Sequence, residues 1–289
     1  MYQISAKSII TAQNGINIYR GATDSCIVSR VRAKGARIEN PDEMGIKMDA
    51  PLLISQELKK KRSRGIIYTG LSDPYNALEE EYLIMRKCLM AIARFDFGIE
   101  ITTSNPLILR DKDVLLDIAG HTKCVIRVMI PTLDEKKYAL IEGRDKKLQD
   151  VLKILEGFKE TEADIILDVF PMLPHINGDI SSLEKLLKLG RDYGVKAIDT
   201  HDFKTVLQSG MKEYFYQELE KRDKDIYEIY VKEELKDSFV LDKSGEMGHL
   251  YMDFCRENGI LFGSKDIQAY ARKYENHTEG VQLSLFDLT

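Results

Sequence analysis

Cys124-Val125-Ile126-Arg127-Val128-Met129-Ile130, followed at once by Thr132-Leu133-Asp134-Glu135, is the stretch on which the fold turns. A short apolar run rich in β-branched residues has the length and composition of a buried parallel strand. The Thr132-to-Glu135 segment behind it reads as a capping box that opens a helix. The same alternation recurs on both sides. Candidate strands lie at 15–20, 65–70, 98–104, 124–130, 164–170 and 195–200, and Gly65, Gly98 and Gly194 punctuate the start of three of them. Between them, 78–94 carries Leu78, Tyr82, Met85, Leu89 and Ile92 at helical spacing, with Glu79, Glu80 and Glu81 in its first turn. Leu148, Val151, Leu152 and Leu155 make another apolar stripe, and Ser181-Ser182-Leu183-Glu184 is a second capping box ahead of Leu186 and Leu187.

Strand then helix, repeated about six times, implies an α/β protein with a parallel sheet. Right-handed crossovers leave two topologies open, a doubly wound sheet or a curled barrel. No G-x-G-x-x-G or P-loop follows the first strand, so nucleotide-binding open sheets lose support. In either topology functional residues belong at the carboxyl ends of the strands. After residue 205 the character changes. Residues 210–237, dense in Lys, Glu and Tyr, read as one or two solvated helices, and 246–258 and 264–274 as two more, with a polar linker at 275–281. The expected organisation is a barrel-like unit over 1–204, a helical extension over 205–274 and a flexible tail over 275–289.

Composition narrows the function classes. The 289 residues carry a net charge of −5, which gives no global reason to bind nucleic acid. The basic run Lys59-Lys60-Lys61-Arg62-Ser63-Arg64 reads as a solvated helix end, where cations suit the dipole, with a direct nucleic-acid contact as the alternative. No apolar run approaches the roughly 20 residues of a membrane span, and Met1–Lys7 has no signal-peptide core, so a cytoplasmic location is expected. Four cysteines (Cys26, Cys88, Cys124, Cys255) in a chain this long form no disulfide framework, and neither they nor the five histidines show zinc-site spacing.

Four short motifs follow, in order along the chain, the loop Asn17-Ile18-Tyr19-Arg20-Gly21-Ala22-Thr23-Asp24-Ser25-Cys26-Ile27-Val28-Ser29-Arg30. They are Gly70-Leu71-Ser72-Asp73-Pro74-Tyr75-Asn76 with Glu79 behind it, the segment from Ile101 through Asn105 to Asp111, Thr132-Leu133-Asp134-Glu135, and Pro171-Met172-Leu173-Pro174. In this order, each near an expected strand end, they resemble the radical-SAM superfamily, specifically its spore photoproduct lyase-like (DNA repair photolyase-like) group, over about residues 16–180. The resemblance implies a partial (β/α)6 TIM-type barrel with a helical C-terminal extension. It also implies a four-iron, four-sulfur cluster that binds S-adenosylmethionine.

The departures from that pattern matter as much. Of the three positions that carry cluster cysteines in the family, Ala22 and Ser29 occupy two and only Cys26 is a cysteine. Iron–sulfur clusters are held by thiolates. Asp24, Val28, Ser104, Ala77 and Gly143 also depart from the residues common in relatives. Cys124 opens its strand at the end opposite the expected site, Cys88 reads as core, and Cys255 is the cysteine least excluded as a substitute. The expectation is therefore no cofactor, with Cys26 a weak metal ligand at most.

What remains is a shaped cavity whose polar candidates are Ser72, Asp73, Thr102, Asn105, Thr132 and Asp168, residue types that also serve as turn and cap chemistry. Asp168 leads, because a carboxylate inside an apolar strand needs a partner. His201-Asp202 would be a base beside an orienting acid. At the other end, Gln282-Leu283-Ser284-Leu285-Phe286 resembles the pentapeptide by which bacterial replication and repair proteins dock on the DNA polymerase sliding clamp. A terminal position behind a polar linker suits a docking peptide, with Leu285 and Phe286 filling an apolar pocket. The alternative is that this peptide packs on its own chain. The expected protein is a non-catalytic, clamp-tethered accessory of DNA repair or replication. An active radical-SAM enzyme with an atypical cluster is the second reading, and an enzyme using the cavity without iron the third.

Overall fold

The computed structural model describes residues 1–21, 26–35, 43–70, 72–207, 211–233, 238–241 and 245–277. The chain opens with β1 (Tyr2–Gln3), β2 (Gly15–Ile16), β3 (Tyr19–Arg20), α1 (Ile27–Gly35), β4 (Gly45–Ile46) and α2 (Ala50–Lys60). Strand and helix then alternate through β5 (Ile66–Thr69), α3 (Ala77–Tyr82), α4 (Ile84–Arg94), β6 (Gly98–Thr103), α5 (Lys112–His121), β7 (Cys124–Met129), α6 (Glu135–Glu142), α7 (Leu148–Phe158), β8 (Asp164–Asp168), α8 (Ile180–Asp192) and β9 (Ala197–Asp199). The last part holds β10 (Lys204–Val206), α9 (Lys212–Arg222), α10 (Lys224–Lys232), β11 (Ser238–Val240), α11 (Glu246–Glu257) and α12 (Ser264–Arg272). The protein is α/β.

Six strands form one parallel sheet in the order β2-β5-β6-β7-β8-β9, so each strand lies beside its sequence neighbour in the βα series and the order never reverses. Side chains alternate between its two faces. Ile99, Ile101, Ile126, Val128, Ile165, Leu167 and Ile198 point into the main core, which they share with Ile54, Met85, Leu115, Ile154 and Leu186 of the helices. Residues of the opposite parity, Val125, Ile166 and Ala197, pack against Ile267 and Ala271 of α12. At Gly98 two backbones approach closely: a Cβ there would lie 2.6 Å from the carbonyl oxygen of Lys123. Leu261 bridges Ala197 in parallel and exchanges backbone hydrogen bonds with Lys196 and Ile198, which covers the outer side of β9.

Several local expectations are corrected. The stretch 15–20 is not one strand: β2 joins the large sheet, while β3 pairs antiparallel with β4 in a small separate sheet with β1. The helix expected over 78–94 breaks at Leu83, whose φ of 53° is left-handed. The break has a physical cause: the buried Glu79 carboxylate turns back to accept from the backbone amides of Met85 (2.8 Å) and Arg86 (3.3 Å), starting a second helix. Neither expected capping box forms at its N-cap. Asp134, not Thr132, caps α6 by accepting from Lys136 N and Lys137 N, and Asp179, not Ser181, caps α8. Within the stretch expected to be a helical extension, β10 and β11 pair antiparallel across the intervening α9 and α10. Among the described residues, no helix is long and apolar enough to cross a membrane.

Candidate functional site

The carboxyl ends of β5 and β6 are stitched together by Asp73. Its carboxylate accepts from Thr103 Oγ1 (2.8 Å) and from the backbone amides of Ser104 (3.1 Å) and Tyr75 (2.9 Å). Burial raises the Asp73 carboxyl to about 6, although part of the residue still reaches solvent; Lys146 and these donors hold the rise in check. Ser72 Oγ donates to the carbonyl of Gly21, tying in the loop after β3. Asn105 caps the 3₁₀ turn at Pro106–Asp111 by accepting from Leu107 N, and Thr132 Oγ1 accepts from Asp134 N. The backbone amide of Thr102 donates to Thr69 Oγ1. Five of the six candidates thus lie in turn, cap or strand-end chemistry.

Asp168 is different. It ends β8 on the face that α12 covers, and its Oδ1 lies 2.5 Å from His201 Nε2. The acid that orients His201 is therefore Asp168 and not the adjacent Asp202. His201, Asp202 and Phe203 all have positive φ (50°, 54° and 58°), three successive non-glycine residues in a conformation that costs roughly 1–2 kcal/mol each. This strained turn folds the imidazole back over the sheet, against Asp168 and the Phe170 ring (4.8 Å between centroids). Burial works against a charge on His201, but Asp168 and then Asp199 outweigh it and raise its pKa.

Three further charges on this face belong to the same system. Arg127 Nε reaches Glu100 Oε1 (2.5 Å) and its Nη1 reaches Asp199 Oδ2 (2.9 Å), all three side chains being buried. Burial opposes the charge on Arg127, but Glu100, Asp168 and Asp199 outweigh it and raise its pKa. Asp199 also accepts from Ser264 Oγ (2.7 Å) at the start of α12 and from the amide of His201 (2.9 Å). At the far end of α12, Arg272 meets the second oxygen of Glu100 (3.3 Å) and lies 3.8 Å from the Tyr68 ring centroid. Three carboxylates (Glu100, Asp168, Asp199) face two guanidiniums and His201, so the face is neutral when His201 is protonated. Sequence reading missed Glu100, Arg127, Asp199 and Arg272. Their signal was parity: Glu100, Arg127, Asp168 and Asp199 each follow a branched residue and fall on one face of the sheet.

Behind the β5–β6 ends, Glu79 holds a second buried network. Tyr19 Oη donates to it (2.6 Å), Arg110 Nη2 pairs with it (2.7 Å), and Arg110 and Arg86 both bind the buried Asp111. Glu79 acts here as a structural anchor for β3 and α4.

The implied iron–sulfur cluster can be tested against the donors present. Cys26 is buried beside Ile27, Val28, Ile141, Phe170 and Leu207, and among the described residues it is the sole thiol of that apolar cluster. Cys88, Cys124 and Cys255 belong to the main core, on α4, at the amino end of β7 and on α11. Burial raises all three thiols, Cys255 to about 12, against the thiolate that iron requires. Ser29 lies on α1 and is partly exposed; Ala22 lies outside the described residues. The residues present do not fit a three-thiolate cluster. The tail peptide Gln282–Phe286 also lies outside the described residues.

No family model matches the chain. Uncharacterized proteins of Mycobacterium tuberculosis and Mycobacterium bovis are each 22% identical to it over 180 residues, which is 60% of this chain and 53% of theirs. An uncharacterized protein of Acidianus two-tailed virus is 28% identical over 156 residues, 51% of this chain and 50% of its own. The chain spans about half the length of the curated relatives it matches.

Proposed function

We propose that this chain is a non-catalytic protein on a degenerate radical-SAM scaffold, working as a sliding-clamp-tethered accessory of DNA repair or replication. The scaffold is a partial (β/α)6 TIM-type barrel; the unreversed strand order and the polar face under α12 support that curvature. One observation carries the loss of the family's chemistry: Cys26 stands apart from the other three thiols, which are buried in the main core. The charged groups on the polar face pair with one another and with Ser264 at the start of α12. The tail peptide supplies the partner, by its match at Gln282, Leu283, Ser284, Leu285 and Phe286.

Binding of the full chain to a purified bacterial sliding clamp tests this directly. Changing Leu285 and Phe286 together to Ala is expected to weaken it by at least tenfold, because apolar anchors dominate short-motif affinity. Equal affinity before and after would remove the clamp from the proposal. Anaerobic reconstitution tests the other half. Substoichiometric iron without cluster absorbance is expected, whereas a brown, redox-active preparation that cleaves S-adenosylmethionine would overturn it.

A further inference from the structure

A surface cleft of about 590 Å³ lies between α6, the turn after it and the α9–α10 junction, away from the polar face of the sheet. Five cations line it, Lys136, Lys137, Arg144, Lys221 and Arg222, against two carboxylates, Asp145 and Asp223. That is an excess of three positive charges in one cleft of a chain whose net charge is −5. The arrangement is built, not scattered. Arg222 Nη1 donates to the carbonyls of Leu140 (2.8 Å) and Ile141 (3.0 Å), which staples α9 to α6 and offsets the negative end of the α6 dipole. Asp223 caps α10, accepting from Ile226 N (3.0 Å). Lys137 pairs with Asp179 and Lys221 with Glu218, whereas Lys136 and Arg144 are exposed and have no carboxylate within 4 Å among the described residues.

From this geometry we infer that the cleft binds the polyphosphate of a nucleotide-sized anion. Its volume is that of a small-ligand site. Lys136 and Arg144 are the cations available to phosphate oxygens, Arg144 with a fork suited to paired contacts. The aliphatic residues Leu140 and Ile226 give the cleft an apolar part for a base or sugar. Phosphate is the shared chemistry of free nucleotides and nucleic-acid backbone, and the cleft's volume favours the free nucleotide.

Titration calorimetry of the full chain with inorganic tripolyphosphate, ATP and a single-stranded oligonucleotide decides this. The expected result is binding of tripolyphosphate and ATP that weakens as salt rises. The Lys136→Glu/Arg144→Glu variant, with both changes on exposed side chains, should lose at least tenfold while its thermal unfolding stays in place. The Leu285→Ala/Phe286→Ala variant should bind these anions like wild type, which separates this site from the clamp proposal. Absence of measurable binding overturns the inference. So does equal binding by the charge-reversed variant, or tighter binding of the oligonucleotide than of ATP, which would make the cleft a nucleic-acid surface.

Discussion

On one face of the six-stranded sheet, Ile99, Ile101, Ile126, Val128, Ile165 and Leu167 meet the helices; on the other, Glu100, Arg127, Asp168 and Asp199 meet one another and α12. The two faces are buried by different physics. The helix-covered face is held by area and shape, so similar side chains can stand in for one another at modest cost. The α12-covered face adds charge pairing to the apolar contacts of Val125, Ile166 and Ala197 with α12, and each charged group there is tolerable only while its partner is present. Loss of one methylene is local on the first face. Loss of one charge on the second strands all its partners at once.

Arg127 offers the hardest test of that contrast. Arg127→Met keeps much of the side-chain volume but leaves Glu100 and Asp199 buried without their cation. Such a change is expected to cost about 3–5 kcal/mol in urea unfolding. Ile126→Val, one residue away on the other face, should cost only about 0.5–1.5 kcal/mol. Comparable costs for the two would break the distinction between the faces.

The next two tests separate the regions by pH. Asp73 is raised to about 6 by burial, against an ordinary 3.8. Between those values the folded protein holds a proton that the unfolded chain has lost. Stability should therefore fall as pH rises from about 4 to about 6, by on the order of 2 kcal/mol once partial exposure is allowed for. Asp73→Asn should flatten the curve in that window, and a slope left unchanged would mean that Asp73 is ionised throughout. His201 moves the same way at higher pH. Burial opposes its charge, but Asp168 and Asp199 raise its pKa above the ordinary 6.5. Its contribution is complete below that value and is lost as pH climbs through the raised one. The effect should be smaller than that of Asp73, because 36% of the imidazole side chain is exposed. His201→Gln should remove the decline above neutral pH. Ile126→Val should instead lower the whole curve evenly.

The same contrast explains what could be read without coordinates. Apolar periodicity is a strong signal, so the parallel strands at 65–70, 98–104, 124–130 and 164–170 and the helices between them were legible to within a few residues. Asp168 was legible too, as a charge that needed a partner. Its partner was half legible: His201 was singled out, but the pairing crosses 33 residues and depends on a left-handed turn with no glycine to announce it. Glu100, Arg127 and Arg272 were missed because their meaning lies in the register between strands and in where α12 returns, and no local pattern encodes either. The break at Leu83 was hidden for a related reason. The apolar stripe runs straight through it, and only the tertiary placement of Glu79 stops the helix.

Helix caps give the finest comparison, at the rim where the helix layer begins. Ser181-Ser182-Leu183-Glu184 has the letters of a capping box, yet Asp179 takes the role, accepting from Ser182 N (2.8 Å) and Ser182 Oγ (2.7 Å). A carboxylate at this position satisfies an orphan amide and also carries charge favoured by the helix dipole, which a serine hydroxyl lacks. Lys137 of α6 adds a contact to Asp179 at 2.9 Å, half-exposed and therefore worth little by itself. Asp179→Ala is thus expected to cost about 1 kcal/mol in thermal or urea unfolding, and Ser181→Ala, on an exposed side chain, to stay within about 0.5 kcal/mol of wild type. The reverse order would put the cap at Ser181. It would also mean that the dipole and the second helix contribute nothing to the choice between two oxygen acceptors two residues apart.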